Sequence, residues 1–429
     1  MNSLNWGLLG PEKLESSRRT RTLGLGACVR NFNEFAVPGM GSVWFVRQLI
    51  LPLIGIRLAT EAREKGQKVT NLEVANSLEA LGCLLAIKLN PESVDGRVRG
   101  RNKFQNISDD KLNQLAFNQV KKKNFYVTQP MRMATTSVLP ALGLVCEGES
   151  RFNNFVLSDK GKNLVTEATK GCRPHNNDLF TYLCDWMAGK GNRKIKNDKV
   201  VNALSPVLEN TSVVRALVKE YLLQGNDQEA VTRRCDALDW VESLRHEQVE
   251  IKWENKPEQI PSGHWHDLKS GAAFFETRNL AITILDNIES CMAASTASLK
   301  LDETLHKNIA VAIKKAASSA ETFLKLKHAD QDANKFCNEL IQKEPVEVIK
   351  SLVARDGNVL KMRGSAVVPG GAFSGQTISV SSEPSDEGYI NRFWPVGISD
   401  RIKNLFLFNA DLKGYLLAHL SVSDKEGSE

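Results

Sequence analysis

Few residues of this chain stand at spacings that chemistry demands. The nearest to a catalytic pattern is Glu250-Ile251-Lys252, with Asp236 or Asp239 upstream. If Val249, Ile251 and Trp253 turn inward along a strand, Glu250 and Lys252 share its outer face. Carboxylates placed so can hold Mg²⁺ while the lysine supports an attacking water. A surface strand carrying Glu and Lys by chance has the same spacing.

Cys172, His175 and Cys184 lie near one another, and His264 and His266 form an HxH. Zinc sites use tighter paired spacings, so these read as buried thiols and surface histidines. Gly24-Leu25-Gly26 and Gly39-Met40-Gly41 do not complete GxGxxG, and no GxxxxGK[ST] occurs. No catalytic residue, metal ligand or cofactor is therefore assigned, and ATP hydrolysis is not expected.

Basic residues are the stronger signal. Residues 91–175 hold 14 Lys/Arg against 8 Asp/Glu, a local +6 equal to the formal charge of the whole chain. Charge gathered in this way is the electrostatic footprint of phosphate binding; a solvated basic face looks the same. A second basic stretch, Lys190, Arg193, Lys194, Lys196 and Lys199, sits among glycines and reads as a linker.

The elements that would position this charge can be read locally. Ser108 is a good helix N-cap, followed by Leu112, Leu115, Ala116 and Val120 on one face. Thr128 caps a second expected helix. Met131, Ala134, Val138 and Leu142 fall on one side of it, and Gln129, Arg132, Thr135 and Thr136 on the other. Then come Leu142-Gly143-Leu144-Val145, a polar turn, the strand-like Phe155-Val156-Leu157, and a helix capped by Ser158.

In this order the segment 108–170 resembles the winged-helix domains of bacterial transcription regulators. In them an "L-x-x-x-G-L-V" stretch leads into the wing and an "L-T-x-x-G" stretch closes it. The resemblance implies a recognition helix at 128–142, a wing at 144–157, and DNA contact through Lys122, Gln129, Arg132, Thr135, Thr136 and Arg151; Arg97 and Arg99 of the basic connector are expected to join them on charge alone. Pro140 departs from the pattern: inside the second helix it removes a backbone donor and ends or kinks it. Winged helices also serve as protein-interaction modules, so a protein partner stays open beside DNA. The Asp239, Glu250 and Lys252 pattern resembles the D…ExK arrangement of metal-dependent nucleases.

Composition frames the rest. In 429 residues, 42% are hydrophobic and 25% charged, which is ordinary for a globular chain able to bury real cores. Eight singly placed cysteines read as reduced thiols and a cytoplasmic location. Residues 1–25 lack an apolar signal core. The run Val43–Ala59 carries Arg47, Arg57 and Pro52, so no membrane association is expected.

The expected fold is mostly α and multidomain: an N-terminal helical region with a basic connector (1–107), the winged-helix module (108–170), a helical domain (176–246), two long helices (272–342) and a small α+β C-terminal region (346–429). Asn71 is expected to cap a helix, Asp356-Gly357 to turn a hairpin, Thr377–Val380 to form a strand, and Ser399–Leu417 to form a last helix. The expected function is a non-enzymatic, DNA-associated component of a bacterial or mobile-element multiprotein system, antiviral (phage) defence being one setting. The alternatives are an adaptor subunit and a metal-dependent nuclease.

Overall fold

The structure is a computed structural model that describes residues 21–105, 107–146, 148, 151–190, 195–244, 251–295, 298–301, 305–342, 344–374 and 394–420. The chain divides into two compact units. The smaller holds Met1–Phe32 and Lys269–Ser382, the larger Asn33–Leu268 and Glu383–Glu429. The division falls within helix α1 (Gly26–Ala36) and helix α13 (Ser262–Ser295).

The larger unit is built on a central helix pair, α2 (Arg47–Glu64) and α3 (Asn71–Leu89). The apolar run that opens the chain's first third becomes α2, which continues through Pro52 with Leu49, Ile50, Leu53, Ile54, Ile56 and Leu58 buried. Each such side chain contributes about 1.5–3 kcal/mol on leaving water. At Gly55 the two backbones approach so closely that a Cβ would lie 2.6 Å from Ala75 Cα.

The cap of α3 is Thr70, not Asn71. Thr70 Oγ1 accepts from Glu73 N at 3.2 Å, and Glu73 Oε2 accepts from Thr70 N at 2.9 Å, a reciprocal capping box. Asn71 is buried instead, its amide donating to the carbonyls of Phe152 (3.1 Å) and Phe155 (2.8 Å).

Short helices surround this pair: α4 (Arg101–Phe104), α5 (Asp109–Asn113), α6 (Phe117–Val120), α7 (Val138–Ala141), α8 (Asp159–Ala168), α9 (Leu179–Met187), α10 (Asp198–Leu204), α11 (Ser212–Leu222) and α12 (Gln228–Ser243). Two buried arginines close helix C-termini, where the last carbonyls lack partners. Arg47 donates to Asn202 O, Ala203 O and Ser205 O at the end of α10. Arg234 donates to Leu222 O and Gln224 O beyond α11. Burial pulls the Arg47 guanidinium down to about 10.

In the smaller unit, α13 meets α14 (Lys307–Lys325), α15 (Gln331–Leu340) and α16 (Pro345–Asp356) around Phe32, Phe274, Phe323 and Phe336. Three strands, β1 (Leu299–Lys300), β2 (Leu360–Arg363) and β3 (Ala366–Pro369), form an antiparallel sheet in the order β1-β3-β2. Arg21 pairs with Asp286 and Glu289 of α13. Helix α17 (Asp400–Lys413) returns to the larger unit, capped by Ser399 and ended by Gly414 at φ 82°.

The mostly helical character expected from the sequence holds; several details differ. Asp356-Gly357 does not turn a hairpin: Gly357, at φ 60°, ends α16, and the β2–β3 turn falls at Gly364, φ 63°. Both readings need a residue at positive φ, so the dipeptide alone does not separate them. Residues 272–342 hold most of α13, then β1, and the whole of α14 and α15, rather than two helices. The C-terminal α+β region is not one body, because β2 and β3 belong to the smaller unit and α17 to the larger. Leu112, Val120, Leu144, Leu157 and Leu164 share one core with α2, α3, α9 and α17, so no break in the core falls at 107/108 or 170/176. Thr377–Val380 lies outside the described residues.

Candidate nucleic-acid interface

The basic connector and the segment after α6 lie side by side in opposite directions. Arg99 Nη1 donates to Gln129 O at 2.6 Å, and Lys103 Nζ to Tyr126 O at 2.6 Å and Asn124 O at 3.2 Å. Arg101 turns to the other side, onto Pro91 O and Ser93 O. These cations are satisfied by carbonyl dipoles, which bind them without cancelling their charge.

Residues 97–132 contain nine Lys/Arg and two Asp, a net +7. Among the described residues, Arg97 is the one of the nine in a direct ion pair with a carboxylate, to Asp95 at 2.6 Å. Lys103, Lys111, Lys122 and Lys123 are exposed, while Arg99, Arg101 and Lys121 are half-buried. Lys121 Nζ stands 5.6 Å over the Phe117 ring. The result is a ridge with an excess of positive charge on a fixed frame, offset in part by Glu79 near Arg99 and Arg132 and by Asp95 on Arg97.

Glu79 of α3 fixes one edge of that frame. Its carboxylate is buried and accepts from Tyr126 Oη (3.0 Å), Met131 N (2.7 Å) and Arg132 N (3.1 Å). Burial raises its pKa, against the hydrogen bonds from residues 131, 132 and 126 that lower it. The Cys83 thiol beside Tyr126 is pushed up to about 12 by burial.

This clamp reshapes the expected recognition helix. Residues 131–135 form a 3₁₀ turn and α7 spans only 138–141, so no continuous helix covers 128–142. With three residues per turn, Arg132 and Thr135 fall on one face, and that face points inward. Arg132 is 9% exposed and Thr135 fully buried, whereas Met133 is 51% exposed. The outward face expected for Arg132 and Thr135 is thus inverted. Arg132 Nε donates to Asn76 Oδ1 at 2.7 Å, and its guanidinium stands 5.0 Å over the Phe152 ring. Pro140 sits within α7, where an early helical position needs no internal donor. The first expected helix is likewise split into α5, capped by Ser108, and α6.

Of the other expected contacts, Arg97 is buried at 2% exposure and so does not face outward. Lys122, Gln129 and Arg151 are exposed, and Thr136 is half-buried. Within the span expected for the wing there is one isolated antiparallel bridge, Val145 to Leu157, flanked by Cys146 N to Val156 O (2.9 Å) and Ser158 N to Leu144 O (3.2 Å). Ser158 caps α8, and a Cβ at Gly161 would lie 2.1 Å from Leu144 O, so α8 seats directly on that bridge.

Among the described residues the remaining chemical candidates do not assemble. Glu250 lies outside the described residues; Lys252 is exposed in a segment without strand structure, and Asp239 is exposed on α12. Trp253 packs on Trp265 at 5.0 Å rather than in an alternating strand. Among the described residues no group of three or more His, Cys, Asp and Glu could hold a metal. His264 is buried, its Nε2 2.9 Å from Ala36 O, and burial lowers its pKa. Arg193 and Lys194 of the second basic stretch lie outside the described residues.

A cleft of about 420 Å³ between Glu34–Gly39 and Gly225–Arg234 is walled by groups already engaged. Arg233 holds Phe35 O and Asp267, and Glu34 is held by Arg401 and Gly39 N. Among the described residues no helix is long and apolar enough to cross a membrane.

Sequence reasoning missed Glu79. A carboxylate within the otherwise apolar run 78–87 is the available signal, since such a group is buried only where donors meet it. Searches of protein-family models, of characterised proteins and of solved structures find no match to this chain.

Proposed function

We propose that the larger unit is a nucleic-acid-binding body that holds phosphates on the cationic ridge formed by Arg99, Arg101, Lys103 and Lys121–Lys123. The observation that carries this reading is the charge of residues 97–132, net +7 by sequence: Arg99, Arg101 and Lys103 are bound to carbonyls, and among the described residues Lys121, Lys122 and Lys123 form no ion pair with a carboxylate. A nearby polyanion supplies the missing countercharge and releases its own condensed counterions. Arg97, Arg132 and Thr135 act on this surface by shaping it, not by touching bases.

The winged-helix reading of 108–170 rests on the Val145–Leu157 bridge followed by the Ser158-capped α8. The short turn at 131–135 offers no helix to enter a major groove, so the contacts are to the backbone and carry little sequence information. In the wider reading this is a non-enzymatic, DNA-associated component working beside partner proteins.

The test is fluorescence anisotropy of a labelled DNA duplex with the full chain and with a Lys121→Glu/Lys122→Glu/Lys123→Glu variant. Binding that the variant abolishes supports the reading. Binding of equal strength by both overturns it.

A further inference from the structure

The ridge also bears on which form of nucleic acid it holds. We infer that it selects duplex DNA over single strands; this rests on the phosphate-binding reading above.

Proteins that grip single strands offer aromatic faces on which unpaired bases stack, alongside a charged groove for the backbone. The ridge has the charge, but its rings are committed elsewhere. Phe104, fully buried, stacks on Tyr126 at 5.7 Å and 6° and meets Phe125 at 5.6 Å. Phe117 packs edge-on against Trp186 at 5.6 Å, and the Trp186 indole donates to Leu115 O at 2.9 Å. Phe152 and Phe155 pack on each other beneath the Arg132 guanidinium. Among the described residues of the whole chain, every Phe, Tyr and Trp is buried or half-buried.

These rings are the hydrophobic support of the ridge. The bonds from Lys103 to Asn124 O and Tyr126 O run alongside the Phe104–Tyr126 stack, so the same contacts that align the cations turn the rings inward. Freeing a ring for a base would dismantle the cationic frame. Outward stand Lys103, Lys111, Lys122 and Lys123, among neutral polar side chains such as Asn124 and Gln129 and the exposed carboxylate of Asp110. Such a surface answers to phosphate density alone. A duplex presents one charge per about 1.7 Å of axis, a denser array than a flexible single strand.

The experiment measures binding of the full chain to a 20-base-pair DNA duplex and to one of its strands, matched in length and label, at about 0.1 M salt. The Lys121→Glu/Lys122→Glu/Lys123→Glu variant is run in parallel with a melting control. Duplex binding about tenfold or more tighter than strand binding, lost in the variant, is the expected result. Equal or tighter binding of the single strand, still lost in the variant, overturns this inference and leaves the phosphate-binding reading standing. Absence of binding to either probe, or binding indifferent to the variant, overturns both.

Discussion

The carboxylate of Glu79 accepts the backbone N–H of Arg132 at 3.1 Å, and that contact turns a segment expected to read DNA into part of the core. The same carboxylate takes Met131 N and Tyr126 Oη, so one buried group on α3 holds both ends of the loop from 126 to 132. The Arg132 side chain then follows its backbone inward to Asn76.

Glu79→Gln replaces one acceptor oxygen by an amide donor. One of the three donors then faces a donor, and a buried unmade hydrogen bond costs about 1–3 kcal/mol. Urea unfolding of both proteins near neutral pH measures the loss. A Glu79→Gln protein as stable as wild type contradicts the clamp.

Glu79 also has a pH signature. Its folded pKa lies above the ordinary 4.5, chiefly through burial. A raised carboxyl contributes stability that is fully present below the unfolded value and lost as pH rises through the folded one. The stability margin of wild type over Glu79→Gln should therefore shrink as pH climbs from about 4.5. A margin that widens over that range reverses the sign and rejects the account.

His264 works in the opposite direction. Burial lowers its pKa below 6.5, and its Nδ1 has no hydrogen-bond partner among the described residues. A lowered imidazole contributes stability that is present above the unfolded value and lost as pH falls below it. Melting at pH 7.5 and 5.5 should show a loss on acidification that His264→Phe reduces. Equal losses in the two proteins assign the acid sensitivity to other groups.

Gly82 is a packing requirement. A Cβ there would lie 2.0 Å from Leu204 O, so Gly82→Ala must push α10 away from α3. Overpacking of this kind costs about 1–3 kcal/mol or more. Gly263→Ala is the control, since nothing lies within 4 Å of its site and its φ is not positive. The larger loss should belong to Gly82→Ala in thermal melts.

Local signals in the sequence located much of the fold. Ser108 and Ser158 each cap the helix expected of them, and the last helix begins just after Ser399 but ends at Lys413 rather than Leu417. The long apolar runs became buried helices because burial follows periodicity over many residues. The candidate site was less legible. Met131 to Leu142 fits a period of 3.6, yet capture by Glu79, 53 residues away from Arg132, tightens it to 3₁₀. No local pattern encodes that partner. Arg97 and Arg132 were counted as surface charge because a basic residue alone does not reveal a near neighbour such as Asp95 or a distant one such as Asn76. Lys122 and Arg151, with no such partner among the described residues, are exposed as expected.

The most direct test of the ridge is the salt dependence of duplex binding, because each phosphate neutralised contributes about 0.9 to the log–log slope. Wild type, Lys122→Ala/Lys123→Ala and Arg132→Ala are compared across a salt series, with melting curves for each. The double lysine variant should keep the wild-type melting temperature and lower the slope by up to about two units. Arg132→Ala should melt earlier yet, where folded, keep the wild-type slope. A lysine variant with unchanged slope, or a wild type that binds no duplex at low salt, contradicts the assignment of this surface to nucleic acid.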